Sequence, residues 1–149
     1  MMGYKDNPDA TAECLTEDGW LKTGDIAYYD TDGFFYITDR KKEMMKVRGF
    51  PVFPAELEAL LVTHDHIQDV AVIPKLCDSS GEVPKAYVVL KPNKKVEEED
   101  IVAWVKERVS PHKLLAGGIT FTDEIPKSPS GKILRRVLRD LDRRMPDRN

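Results

Sequence analysis

The sequence predicts an α+β fold, a small and mostly antiparallel sheet packed with about three helices and preceded by a β-hairpin. Three observations predict it. Short β-branched runs, "DVAVIPKL" and "KAYVVLKP", interleave with amphipathic segments from Arg40 onward. Two aromatic-rich runs bracket the turn sequence Asp30-Thr31-Asp32-Gly33. The 149 residues, 41% of them apolar and 33% charged, match a soluble globular chain with one modest core.

Residues 1–17 are polar and aperiodic, with Asn7-Pro8-Asp9 reading as a turn, so this stretch is expected to be a connector. "GWLKTGDIAYYDTDGFFYITDR" then gives the hairpin, because Gly33 can take the positive φ that the turn requires. A second short pairing is expected around Glu43 to Arg48, ended by Gly49. Pro54 suits a first helical position, Glu56 and Glu58 favour the positive end of the helix, and Leu57, Leu60 and Leu61 form one buried face. The two β-branched runs follow as strands, joined by "DSSGEVP". Glu97 to Val109 is a helix with Ile101, Val102, Val105 and Val109 inward, and "GGITFTDEIP" supplies another strand. A last helix is expected from Lys132 to Arg144, burying Ile133, Leu134, Val137, Leu138 and Leu141, with Ser130 as its cap.

Composition excludes several classes of function. No apolar run approaches the roughly 18 to 20 residues of a membrane span. The formal charge is −3, yet from Lys127 onward eight Lys/Arg face three Asp. Such a tail can meet phosphate or RNA, but it lacks interleaved aromatics and reads as a solvated helix face, so no nucleic-acid partner is expected. Cys14 and Cys77 have no metal-ligand spacing, and the adjacent His64 and His66 lack further ligands, so they read as solvated loop residues and no metal site is expected. The N-terminus has no secretory signal pattern and the C-terminus is not a peroxisomal targeting tripeptide, leaving cytoplasm as the expected location.

The chemistry-bearing candidates are few. Lys132, in "PKSPSGKILRR", does not belong to a nucleoside-triphosphatase phosphate loop, since Pro126 stands where the first glycine is needed and Ile133 where a hydroxyl is needed. A lysine behind a Pro129-Ser130-Gly131 turn can deliver a mobile cation to developing negative charge, although on residue types alone an ordinary solvated lysine explains the pattern better. Asp25, after a Thr-Gly turn, can accept two ribose hydroxyls, and Arg40, beside Asp39, can bind sugar or phosphate.

Taken in order, "GWLKTGDIAYYDTDGFFYITDRKKEMMKVRGFPVFPAELEALL", "GEVPKAYVVL" and "DEIPKSPSGKILRR" resemble the adenylate-forming superfamily of acyl-CoA synthetases, 4-coumarate:CoA ligases and beetle luciferases. The resemblance implies the mobile C-terminal domain of such an enzyme over residues 40–149, with residues 1–39 as the end of a large AMP-binding domain otherwise missing from the chain. It implies an ATP-dependent acid:CoA ligase acting on a carboxylic acid, with ATP/AMP, coenzyme A and Mg2+ bound by the full-length enzyme and none held tightly by this chain alone. By motif match Lys132 serves adenylation, Lys46 serves the second half-reaction, Asp25 and Arg40 contact the nucleotide, Asp39 is the hinge, and Arg48 and Gly49 line the coenzyme A path. The resemblance also admits a peroxisomal location, although the C-terminus carries no targeting tripeptide. The departure is Pro51, where many relatives carry a polar residue after the Gly-aromatic pair, which weakens the expectation for the thioester step.

Two other functions stay open at this point. One is a non-catalytic binding or regulatory module. The other is part of a luciferase-like enzyme that oxidises the adenylate.

Overall fold

The computed structural model describes residues 1–145. The chain divides into two compact units, Met1–Glu43 and a second from Met44 onward.

In the first unit, α1 (Pro8–Cys14) is followed by the antiparallel pair β1 (Asp25–Tyr29) and β2 (Phe35–Arg40). The hairpin agrees with expectation, and Gly33 takes φ +84° in its turn. The Asp30 carboxylate closes that turn by accepting the Asp32 and Phe34 amides, each at 3.0 Å, and the Tyr36 hydroxyl at 2.8 Å. Those bonds, the Tyr36 hydroxyl first, hold its pKa below the usual carboxylate value. The helix α1 corrects the expectation of an irregular connector. Asn7 Oδ1 accepts the Ala10 amide at 3.0 Å and Pro8 takes the first turn, so "NPD" opens a helix rather than a turn. No α1 residue is buried, and no apolar period betrays it. Nor is any residue from 1 to 43 buried, as expected for a two-stranded hairpin with too little surface to bury its own faces.

The second unit holds β3 (Met45–Val47), β4 (Phe50–Val52), α2 (Pro54–Leu61), β5 (Ile67–Cys77), β6 (Gly81–Leu90), α3 (Glu98–Lys106), β7 (Ile119–Phe121) and α4 (Arg135–Asp142). Its five-stranded sheet runs β4-β3-β6-β5, with β7 parallel to β6 and every other pair antiparallel. Both faces of β5 and β6 are covered. Val70, Val72, Ala86 and Val88 join Leu57, Leu61, Ile101 and Val105 of α2 and α3 in one core. The alternate residues Ala71, Ile73 and Tyr87 join Ile125 and Leu138 in a second. A strand buried on both sides reads as a continuous apolar run, which is why "DVAVI" does not alternate.

Pro84 lies inside the central strand β6, opposite Pro74 of β5. Proline is tolerated there because the outward polar groups on that side of β6 serve β7 and its approach: Pro84 O accepts the Gly117 amide at 2.9 Å and the Ala86 amide donates to Gly118 O at 3.1 Å. The missing Pro84 N–H falls between the partners β3 and β7 and leaves no ladder bond unmade.

The last helix corrects the sequence expectation. It begins at Arg135, not Lys132, and its N-cap is Leu134 with no side-chain cap, so Ser130 does not serve that role. Leu138 alone of the five expected inward residues is fully buried, Ile133 is partly buried, and Leu134, Val137 and Leu141 are exposed. The cause is local. The Leu134 amide donates back to Pro126 O at 2.8 Å, which closes a hairpin rather than starting a helical turn.

Candidate active site

Lys132 sits in the hairpin that spans Pro126 to Leu134. Lys127 and Ile133 pair across it, the Ser128 amide donates to Lys132 O at 2.8 Å, and the Gly131 amide donates to Ser128 O at 2.8 Å. Gly131 has φ +79°. This is a type I turn, with proline where its φ is already set, followed by a left-handed glycine. The Lys132 amide also donates to Ser128 Oγ at 3.2 Å, and Ser128 Oγ shares a 2.9 Å hydrogen bond with Ser130 Oγ. The loop is therefore internally bonded while Lys132 itself is exposed and makes no ion pair among the described residues.

The arms of this hairpin are tied to β5, an edge strand of the sheet. Lys127 Nζ donates to Asp69 Oδ2 at 2.6 Å. Arg135 Nη2 donates to both Glu58 carboxylate oxygens, at 2.8 and 2.7 Å, and its Nε donates to Val72 O at 3.3 Å. Glu58 Oε1 in turn accepts the Val72 amide at 2.8 Å. An α2 carboxylate and an Arg135 guanidinium thus satisfy the open edge of β5 at Val72, and the side chains of Arg135 and Glu58 are only 15% and 13% exposed.

Lys46 lies on β3, which is separated from β5 by β6 in the same sheet. On β3, Met45 and Val47 are buried and Lys46 projects from the opposite face, its amide donating to Glu82 Oε2 at 2.9 Å. The turn to β4 carries Arg48 at φ +50° and Gly49 at φ +85°, both left-handed, as a type I′ hairpin requires. An arginine is strained in that region, and its bonds compensate: the amide donates to Ser80 O at 3.1 Å and Nε to Ser80 Oγ at 3.3 Å. Phe50 stacks on His112 with ring centroids 5.0 Å apart, and Val47, Val83, Pro111 and Leu114 continue an apolar groove beside Arg48. Pro51 stands opposite Lys46 in β4, an edge strand where its missing N–H costs nothing.

In the first unit, Asp25 and Arg40 are partners across β1 and β2, with Arg40 Nε 2.8 Å from Asp25 Oδ1. Asp39 accepts the Arg40 amide at 2.6 Å. The structure thus brings Asp25, Asp39 and Arg40 together at the open end of the hairpin in the first unit. Within the second unit it gathers Lys46, Arg48 and Gly49 on β3 and the β3–β4 turn, and carries Lys132 on a separate hairpin tied to β5.

His64 and His66 correct the expectation of solvated loop residues. Both are half-buried: His64 packs edge-on against Trp104 and its Nδ1 accepts the His66 amide at 3.2 Å. Burial, then the charge of His66, lowers the His64 pKa. Among the described residues no three His, Cys, Asp or Glu side chains are grouped to hold a metal ion.

The AMP-binding enzyme C-terminal domain family matches residues 56–132, just over half of the chain. The chain belongs to that family. A putative acyl-coenzyme A synthetase of Emericella nidulans is 50% identical over 95% of this AMP-binding C-terminal domain chain and 26% of its own length. A probable 4-coumarate–CoA ligase 3 of Dictyostelium discoideum is 46% identical over 95% of the chain and 26% of its own length. The fold is likewise that of the o-succinylbenzoate CoA synthetase MenE of Bacillus subtilis, solved with the acyl-adenylate intermediate OSB-AMP. That match has a TM-score of 0.83 and 34% identity over 94% of this chain and 28% of MenE. The chain therefore spans about a quarter of the length of the curated relatives it matches.

The anchors of this AMP-binding C-terminal domain are what sequence reasoning missed. Arg135 and Glu58 are 77 residues apart, and nothing local separates Arg135 from its neighbour Arg136, which is exposed. A carboxylate one turn into a helix, as Glu58 is in α2, reads as dipole complementation whether or not it also caps a strand.

Proposed function

We propose that the chain supplies the mobile domain of an ATP-dependent acid:CoA ligase, with residues 1–39 belonging to the large domain and the hinge at Asp39. In the first half-reaction a carboxylate oxygen attacks the α-phosphorus of ATP and pyrophosphate leaves. Negative charge grows on the α-phosphate oxygens, and Lys132 places an ammonium against it. Asp25 accepts the ribose hydroxyls and Arg40 orients it. In the second, the sulfur of coenzyme A attacks the acyl carbon, AMP leaves and the thiol proton is released. Lys46 and the Arg48-Gly49 turn face the reaction then, with the groove beside Arg48 as the apolar wall of the coenzyme A path. Mg2+ would enter with the triphosphate and neutralise its charge in the full-length enzyme; the described residues of this chain group no three His, Cys, Asp or Glu side chains that would hold it.

The observation that carries this reading is the placement of two lysines on different parts of one sheet: Lys46 lies on β3, next to the β3–β4 turn and on one side of β6, and Lys132 lies on a hairpin tied to β5 on the other side of β6. A rigid domain built so completes a site twice if it rotates between the two steps. Family membership and the adenylate-bound relative support it further.

The test grafts the chain in place of the matching quarter of the Emericella nidulans relative and measures each half-reaction separately. Lys132→Ala is expected to reduce acid-dependent pyrophosphate release about 100-fold or more while sparing thioester formation from supplied acyl-adenylate. Lys46→Ala is expected to show the reverse. Equal losses in both halves for either variant refute the division of labour. The chain alone is expected to release no pyrophosphate from ATP and a carboxylic acid.

A further inference from the structure

We infer that Arg135, held by Glu58, is the positioning residue for Lys132, an inference that rests on the adenylation role proposed above for that lysine. A lysine on a surface hairpin has four rotatable side-chain bonds and a moving backbone beneath them. To meet a phosphate oxygen repeatedly, at least the backbone must be fixed. Bonds within the Ser128–Lys132 turn fix its shape, but they do not fix where the turn sits on the domain.

That second task falls to the base of the hairpin. Ile133 packs against the core of Ala71, Ile73 and Tyr87, and Arg135 follows immediately after Leu134 closes the arms. Its guanidinium spans two elements at once: Nη2 takes the Glu58 carboxylate of α2 with two bonds, and Nε takes the Val72 carbonyl of β5. The same carboxylate holds the Val72 amide. The loop is therefore registered against both a helix and a sheet edge by one planar cation, a geometry that the point charge of lysine cannot reproduce. Lys127–Asp69 pins the other arm, but those side chains are 39% and 33% exposed, so that tie is the weaker of the two.

The grafted ligase described above tests this with Arg135→Ala, Arg135→Lys and Glu58→Gln, each made with and without Lys132→Ala. Arg135→Ala is expected to lower the rate of adenylation about 100-fold while leaving thioester formation from supplied acyl-adenylate unchanged. Arg135→Lys is expected to rescue little, because it keeps the charge but not the fork. Glu58→Gln keeps an acceptor for the Val72 amide and is the milder variant, so it reports even if Arg135→Ala folds poorly. In the Lys132→Ala background each substitution is expected to add almost no further loss, since its effect passes through that lysine.

A purely structural role predicts equal loss in both half-reactions and a full additional loss in the Lys132→Ala background; either result overturns the inference. If Lys132→Ala impairs adenylation while the Arg135 and Glu58 variants do not, the positioning role alone fails. If Lys132→Ala itself leaves adenylation intact, the adenylation role fails and the positioning role with it.

Discussion

Gly117→Ala is expected to destabilise the second unit by about 2 kcal/mol, through one methyl group at the seam between β6 and β7. The Gly117 amide donates to Pro84 O at 2.9 Å and Gly118 O accepts the Ala86 amide at 3.1 Å, so the glycine backbone lies directly on β6. A Cβ at position 117 falls 2.8 Å from Lys85 Cβ, 2.9 Å from Pro84 O and 3.2 Å from Lys85 Cα. All three are backbone or backbone-adjacent atoms of the central strand, so no flexible side-chain tip can swing away. The segment must lift instead, stretching the bonds that seat β7. Gly131→Ala is the contrast: nothing lies within 4 Å of its added methyl, and it bears only the cost of a left-handed backbone, about 1 kcal/mol. Thermal unfolding followed by circular dichroism reads both. At the usual scaling for a domain of this size, Gly117→Ala is expected to lower the midpoint by roughly 8 °C or more. A midpoint within about 2 °C of the parent chain refutes the steric argument, as does a larger loss for Gly131→Ala.

Two further outcomes are expected. Asp142→Ala strips the partner from Lys85 Nζ and the acceptor from the Tyr87 hydroxyl, in a pair whose side chains are both only 12% exposed, and is expected to cost about 3 kcal/mol in urea unfolding; Asp142→Asn, which keeps an acceptor, is expected to cost less. For His64, burial and the cationic His66, Arg108 and Lys91 outweigh the attraction of Asp65, so its folded pKa lies below the usual 6.5. The unfolded chain then binds the proton more readily, and this contribution to stability is full above pH 6.5 and lost as pH falls through the folded pKa. Protonation at Nδ1 also removes the acceptor for the His66 amide. Comparing urea midpoints at about pH 7.5 and 5.5 for the parent and His64→Gln checks this; an equal pH dependence in both contradicts it.

Much of the fold was legible because its signals are local. The hairpin turn at Asp30–Gly33, Pro54 at the start of α2 and the β-branched runs of β5 and β6 each declare their structure within a few residues. α1 was missed because a helix that buries nothing carries no apolar period, and the start of α4 was misplaced because the stripe of apolar residues continues through a hairpin as smoothly as through a helix. The site residues divide the same way. Asp25, Arg40 and Lys132 are candidates on their residue types and turns, whereas Lys46, Arg48 and Gly49 become candidates only through the family resemblance.

The sequence by itself determined the α+β class, the types of most elements, the family resemblance and the charged residues of the candidate site. Tertiary structure alone decided that Lys132 rides a hairpin clamped to β5 and that Lys46, on β3, stands on the other side of β6. It also decided that Glu58, Arg135 and the Val72 backbone form one anchor. The reason is separation: turn and helix chemistry acts between neighbours in the chain, whereas a guanidinium finds a carboxylate 77 residues away only after the sheet and helices have packed.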